Sequence, residues 1–116
     1  MNSIKPDELN ILWTSGDRDV ALNMVFMYAY NSKVKGWWKE VTLIVWGASA
    51  KLLAHDAQLQ DEIRKMIGAG VYVEACKACA DNYNVAATLE SLGIEVRPMG
   101  QPLTQILKDG GRLLTV

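Results

Sequence analysis

The sequence is poor in the residues and segments that mark metal sites, membrane spans and polyanion-binding surfaces. Its one histidine and two cysteines are fewer than the four ligands of a structural zinc site, unless subunits share the ion. The longest nearly apolar run, residues 41–46, is far shorter than the roughly 20 residues of a membrane-spanning helix. With 12 basic and 13 acidic side chains the net charge is −1, which disfavours binding to nucleic acid or to an anionic membrane through bulk charge.

The chain has the length and composition of one folded domain, residues 1–116. Its length lies below the roughly 150 residues of an average domain, and 50% of its side chains are hydrophobic. That apolar content excludes a disordered chain. Residues 1–8 contain no hydrophobic segment of the kind found in secretory signals. We therefore expect a soluble, cytoplasmic, single-domain protein.

Short apolar segments alternate with segments of helical periodicity along the sequence. The predicted strands are 9–14, 41–46, 71–75, 94–97 and 112–116, and the predicted helices are 18–35, 56–67, 85–92 and 101–107. Asp17 and Asp56 are the expected N-caps of the first two helices, and Ser49 is expected to cap a short turn between the second strand and Asp56. This alternation predicts an α/β fold with a five-stranded, mostly parallel sheet and helices on both faces.

The first predicted helix carries large apolar side chains at helical spacing. Met24, Met27 and Tyr28 belong to this stripe, and we interpret them as core residues. Ala21, Val25 and Ala29 widen the stripe, so we expect the helix to be covered on more than one side. Trp37 and Trp38 follow the helix as an adjacent pair. Because neighbouring residues seldom both point inward at the end of an element, the pair suggests a partly exposed subunit interface.

Ligands of open parallel sheets bind beyond the carboxyl ends of the strands. The predicted ends lie at 14–17, 46–49, 74–76 and 98–100, and three of them contain glycine, which permits close approach of a ligand to the backbone. The predicted substrate-binding residues are Ser15, Gly16, Gly47 and Ser49. Neither a Gly-x-Gly-x-x-Gly nor a Walker pattern is present, so the sequence does not favour nucleotide binding.

The fourth strand end carries a Cys-x-x-Cys pair, Cys76 and Cys79, which are the predicted catalytic residues. A thiol between a strand and a helix N-terminus is expected to ionise readily, because free amides and the helix dipole favour the thiolate. Lys77 adds a positive charge nearby, and Glu74 opposes it. Cys79 lies one helical turn later on the same side, where it is able to resolve a sulfenic acid, persulfide or mixed disulfide on Cys76.

Other interpretations of these polar residues remain. Both cysteines are small enough to be inert core residues, because free cysteine is among the most buried residue types. A thioredoxin-type oxidoreductase is less favoured, because the pair follows the third strand and encloses Lys77 and Ala78. His55 is a candidate general base, although a lone histidine beside a helix start is more often a surface or capping residue.

Two segments resemble the DsrE/DsrF-like sulfur-relay family. Thr-Ser-Gly-Asp follows the first strand at 14–17, and Val-Glu-Ala-Cys-Lys-Ala-Cys-Ala-Asp-Asn-Tyr-Asn-Val covers 73–85. The most specific element is the apolar strand ending at Cys76, followed by a short helix and by Val85. Members often carry glycine before that valine, whereas this chain has Asn84, which also tolerates a left-handed conformation.

The resemblance implies an α/β/α sandwich with strand order 4-3-2-1-5, assembled into trimers or hexamers. It also implies that Cys76 carries sulfane sulfur as a persulfide, without a cofactor or a metal, and exchanges it with donor and acceptor proteins. Cys79 has no equally firm counterpart in the family. The expected function is a sulfurtransferase-like persulfide carrier or a thiol-redox protein. The alternative is a non-catalytic, oligomeric small-ligand-binding or scaffold protein of the same fold.

Overall fold

The computed structural model describes residues 7–116. Residues 1–6, which make up most of the segment searched for a secretory signal, lie outside the described residues. The strands are β1 (Glu8–Trp13), β2 (Glu40–Val45), β3 (Tyr72–Cys76), β4 (Glu95–Arg97) and β5 (Arg112–Thr115). The helices are α1 (Arg18–Val20), a π-helical segment (Ala21–Phe26), α2 (Met27–Val34), α3 (Ala48–Ala54), α4 (Ala57–Gly68), α5 (Lys77–Asn82), α6 (Ala86–Ser91) and α7 (Gly100–Lys108).

The five strands form one sheet in the order β4-β3-β2-β1-β5, and every neighbouring pair is parallel. This confirms the predicted fold class and strand order. The chain moves in one direction across the sheet from β1 to β4 and then returns to the far side of β1. Because parallel crossovers share one hand, the return connection through α7 lies on the opposite face from the earlier helices.

The two faces of the sheet are covered unequally. The larger core contains Ile11, Val41 and Val73, which alternate along their strands with residues of the other face. The smaller core is built on Ile44 and Met99, with Ile106 of α7 packed against it. The large core therefore lies on one face of the sheet. The smaller core lies under α7 on the other face, and both cysteines pack there.

The first helix buries the small residues of the predicted stripe and leaves its methionines exposed. Ala21, Val25 and Ala29 are fully buried, whereas Met24 and Met27 are 39% and 53% exposed. The core interpretation of Met24 and Met27 was therefore wrong, and Tyr28 is only half-buried. The small side chains let the helix backbone approach the sheet closely, and long methionine side chains would hold it away.

The two adjacent tryptophans are in different environments. Trp37 is 55% exposed. Trp38 packs against the large core, and its indole N–H donates a hydrogen bond of 3.2 Å to the Tyr28 hydroxyl. The expected partly exposed pair therefore consists of one surface tryptophan and one half-buried tryptophan.

The predicted aspartate caps are confirmed. Asp17 accepts hydrogen bonds from the amides of Asp19 and Val20, and Asp56 accepts one from Leu59. The capping role predicted for Ser49 was wrong, because Gly47 holds the N-cap position of α3.

None of the helices within residues 7–116 combines the length and the apolar character that crossing a bilayer requires.

Candidate functional site

The crevice between β3 and β4 is the point where successive connections turn to opposite faces of the sheet. The chain leaves β3 towards α5, which packs on the side of the large core, and leaves β4 towards α7 on the other side. Ligand sites of parallel sheets concentrate where neighbouring connections diverge in this way. Cys76 ends β3 at this point and is paired in register with Arg97 of β4.

The Cys76 thiol is enclosed by the smaller core. The residue is 5% exposed and clusters with Ile44 and Met99. It occupies the N-cap position of α5, but its side chain makes no capping hydrogen bond there. The sequence predicts that this thiol faces free helix amides. In the structure the thiol instead packs in the smaller core, with Ile44 and Met99. The reason is strand alternation, since the neighbouring Ala75 points into the large core.

Cys79 is the more accessible of the two thiols. It is the third residue of α5, is partly exposed and packs against the same small cluster as Cys76. Burial raises the pKa of the Cys79 thiol, and a hydrogen bond to the Cys76 side chain raises it further. The backbone of Gly47 acts in the opposite direction and lowers this pKa. The structure therefore brings together both cysteines and one of the predicted substrate-binding glycines.

Gly47 has a backbone conformation that other residues adopt only under strain. Its φ of 73° and ψ of −133° carry the chain from β2 into α3, beside Cys79. A Cβ atom there would meet nothing within 4 Å, so glycine is required by backbone geometry rather than by lack of space. Asn84 also has a positive φ, of 58°, in agreement with the expected left-handed conformation.

Gly16 and Ser15 lie next to the start of α3. A Cβ atom on Gly16 would lie 3.1 Å from the Cβ of Ala48, so the two strand-end loops are in close contact. The Ser15 hydroxyl accepts a hydrogen bond of 3.1 Å from the Asp17 amide. Gly16 therefore borders the Gly47 turn, with Ser15 beside it in the same loop.

Ser49 is fully buried, and its hydroxyl is engaged by the backbone. It donates to the Trp13 carbonyl at 2.6 Å and accepts from the Trp46 amide at 3.1 Å. These bonds join the ends of β1 and β2. The buried Ser49 hydroxyl therefore links the carboxyl ends of β1 and β2, and Ser49 is not part of the proposed site.

The charged neighbours of the cysteines are paired with other groups. The Lys77 ammonium donates to the Asp81 carboxylate at 2.8 Å, and this hydrogen bond raises the pKa of Lys77. Glu74 accepts from the Arg97 guanidinium at 2.7 Å. The positive influence of Lys77 and the opposing influence of Glu74, both expected from sequence, are therefore reduced by these partners.

A groove of about 440 Å³ lies on the Gly16 side of this edge, and the sequence analysis did not identify it. Its lining residues are Gly16, Ala48, Lys51, Leu52, His55 and Asp56. His55 ends α3 and its Nδ1 lies 2.8 Å from the Lys51 carbonyl oxygen, which fits the capping interpretation better than general base catalysis. Within residues 7–116, no group of three or more potential ligand side chains is arranged to hold a metal ion.

Comparisons with known proteins identify three similar solved structures. The conserved protein of unknown function BT1422 from Bacteroides thetaiotaomicron has 50% sequence identity and a TM-score of 0.93, over 95% of both chains. The protein of unknown function MTH1491 from Methanobacterium thermoautotrophicum has 13% identity and a TM-score of 0.72, over 94% of this chain and 98% of that one. The ychN protein of E. coli has 13% identity and a TM-score of 0.62 over the full length of both chains.

The two more distant structures show a shared fold alone. No family model matches the chain, and no curated protein matches it. The likeness to BT1422 is of a different kind, because half of the aligned residues are identical over nearly the whole of both chains. This chain therefore belongs to the same protein family as BT1422 of Bacteroides thetaiotaomicron.

Proposed function

We propose that this chain is a cytoplasmic sulfur-transfer or thiol-redox protein related to the DsrE/DsrF-like sulfur-relay family. The Cys76–Cys79 pair is the proposed site of sulfur exchange. The observation that carries the proposal is the packing of these two free thiols in one small cluster at the crevice between β3 and β4. Of the two segments that resemble the family, 14–17 follows β1 and 73–85 contains the end of β3, so each includes the carboxyl end of a strand.

The chemistry needs only a thiolate and a sulfane-sulfur donor. A thiolate of the pair attacks the outer sulfur of a persulfide R–S–SH and forms a new S–S bond. The donor's S–S bond breaks, and the donor leaves as the thiolate R–S⁻. The outer sulfur is then held as a cysteine persulfide, with no net oxidation or reduction and no cofactor.

Mass spectrometry after incubation with glutathione persulfide tests this function. The wild-type chain is expected to gain about 32 Da as a persulfide, or to lose about 2 Da as a disulfide. The variant Cys76→Ala with Cys79→Ala is expected to show neither change. Tyr72→Ala, altered at an exposed site at the opposite end of β3 from Cys76, serves as the control and should react like the wild type. An unchanged wild-type mass would contradict the proposal.

A second candidate is a non-catalytic small-ligand-binding or scaffold protein. The specific observation in its favour is the packing of Cys76 against Ile44 and Met99, as expected for an inert core cysteine. The groove beside Gly16 would then hold the ligand. Absence of sulfur uptake by the wild-type chain, together with binding of a small molecule in that groove, would favour this candidate.

We also propose that the chain forms a homo-oligomer, a trimer or a hexamer, through the surface around Trp37. Met24, Met27 and Trp37 are exposed there and line a groove of about 250 Å³ with Tyr28. Exposed aromatic and methionine side chains are enriched in subunit interfaces.

Trp37→Ala is expected to lower the molar mass measured by light scattering at a fixed concentration. Tyr72→Ala, which removes a 64% exposed aromatic residue from the sheet, is the control and should leave the molar mass unchanged. An identical mass for Trp37→Ala and the wild type would exclude this surface as the interface. Trp38 is left intact because it packs against the large core.

A further inference from the structure

We infer that sulfane sulfur enters on Cys79 and that Cys76 then expels it as hydrogen sulfide, closing a disulfide between the two residues. This inference rests on the proposed function and assigns each thiol a separate step. The resemblance to the sulfur-relay family implies the opposite order, with Cys76 as the carrier. The structure points to Cys79 because the two thiols differ in access and pack in the same small cluster.

Access favours Cys79 for the first step. Attack on a persulfide requires the incoming sulfur to approach in line with the donor's S–S bond, so the donor must reach the attacking sulfur. Cys76 is 5% exposed beneath Met99, which is itself 1% exposed. Cys79 is partly exposed on the first turn of α5, beside the Gly47 turn. A donor therefore reaches Cys79 without displacing the smaller core.

The two cysteines share one packed cluster. Cys79 packs against the smaller core that contains Cys76, Ile44 and Met99. Burial and the neighbouring Cys76 side chain raise the pKa of Cys79, whereas the Gly47 backbone lowers it. Because the thiolate is the attacking form, we expect the rate of the first step to rise with pH.

Contact also determines the second step. Once Cys79 carries Cys79–S–SH, its inner sulfur still lies beside the Cys76 thiol. Cys76 loses its proton to solvent, attacks the inner sulfur and forms the Cys76–Cys79 bond. The bond between the inner and outer sulfurs breaks, and the outer sulfur leaves as HS⁻. The two cysteines are oxidised to a disulfide while the sulfane sulfur is reduced to sulfide, so the electrons balance within the site.

The disulfide returns to two thiols by exchange with an external dithiol. One thiolate of the dithiol attacks the disulfide, and its second thiol completes the reduction, leaving the dithiol oxidised. The complete cycle converts a persulfide and a dithiol into a thiol, hydrogen sulfide and an oxidised dithiol. The activity inferred for this pair is therefore persulfide reduction, in which sulfur is released instead of being passed on.

The test uses glutathione persulfide with the wild-type chain and with Cys76→Ser and Cys79→Ser. The wild type is expected to release about one sulfide per chain and to lose about 2 Da. Cys76→Ser should retain a persulfide of about 32 Da on Cys79 and release no sulfide. Cys79→Ser should load at least about tenfold more slowly, because its remaining thiol is enclosed. Trypsin cleavage after Lys77 separates the two cysteines and assigns the sulfur to one of them.

A second measurement uses the unaltered chain, so that it does not depend on the folding of a variant. A short pulse of iodoacetamide is expected to label Cys79 about tenfold faster than Cys76. Rapid loading of Cys79→Ser with none of Cys76→Ser would overturn the inferred order while leaving the proposed function in place. Absence of any sulfur uptake by the wild type would overturn both.

Discussion

Replacing Trp13 by alanine is expected to lower the free energy of unfolding by about 3–5 kcal/mol, as for other large aromatic side chains removed from a core. Trp13 ends β1 and has no exposed surface. Its ring meets Phe26 edge to face, with 5.0 Å between ring centroids and 77° between ring planes. The loss therefore combines apolar burial, an aromatic contact and the cavity left behind. Urea unfolding followed by circular dichroism measures it.

Two further variants separate these contributions. Tyr72→Ala removes an aromatic side chain that is 64% exposed, and we expect a change within about 0.5 kcal/mol. Trp13→Phe should cost less than Trp13→Ala, because it keeps an aromatic ring. It also removes a buried indole N–H that has no hydrogen-bond partner among the described residues. Equal losses at Trp13 and Tyr72 would contradict the description of the large core.

Two buried serines are expected to respond to alanine in opposite directions. Ser49→Ala removes the hydroxyl that joins Trp13 and Trp46, and we expect it to lower the free energy of unfolding by about 1–2 kcal/mol. Ser32→Ala removes a buried hydroxyl that has no partner within residues 7–116. Deleting an unsatisfied group is expected to be neutral or to stabilise the fold by up to about 1 kcal/mol.

The comparison of Ser49→Ala with Ser32→Ala keeps the chemical change constant and varies only the hydrogen bonding. Chemical denaturation of the two variants under identical conditions measures the difference. If Ser49→Ala were as stable as Ser32→Ala, the hydroxyl of Ser49 would not support the strand ends as described. The edge that positions Gly47 would then need another explanation.

The overall fold was predictable because its signals are local and repeated. Apolar runs alternate with helical segments, and this order alone restricts the chain to a parallel sheet with crossover helices. Asp17 and Asp56 were identified as caps because a short polar side chain before a helix has few other roles. The left-handed conformation at Asn84 was expected for the same local reason.

The orientation of the first helix was not predictable from its pattern. Met24, Met27 and Tyr28 form a regular stripe, yet the buried stripe is formed by Ala21 and Ala29 with Val25 between them. Hydrophobicity favours the methionines as core residues, whereas the short distance between helix and sheet favours small side chains. Which of these dominates depends on the separation of the two elements, and the sequence does not contain that distance.

The candidate site was predictable in its position but not in its detail. The carboxyl edge of the sheet followed from the alternation of strands and helices, and the Cys76–Cys79 pair followed from its spacing after the third strand. The enclosure of Cys76 did not, because it depends on Met99, which follows a strand elsewhere in the sequence. The internal role of Ser49 likewise depends on the backbone of Trp13, 36 residues away.

The pKa of Cys79 in the wild-type chain and in Cys76→Ala provides the most direct test of the thiol pair. Thiolate is the form that alkylates, so the rate at Cys79 rises as pH increases through its pKa. The account predicts a wild-type midpoint above the ordinary 9.0, and a lower midpoint in Cys76→Ala because the hydrogen bond to Cys76 is lost. Equal midpoints in the two chains, or a wild-type midpoint at or below 9.0, would contradict the contact on which the proposed chemistry depends.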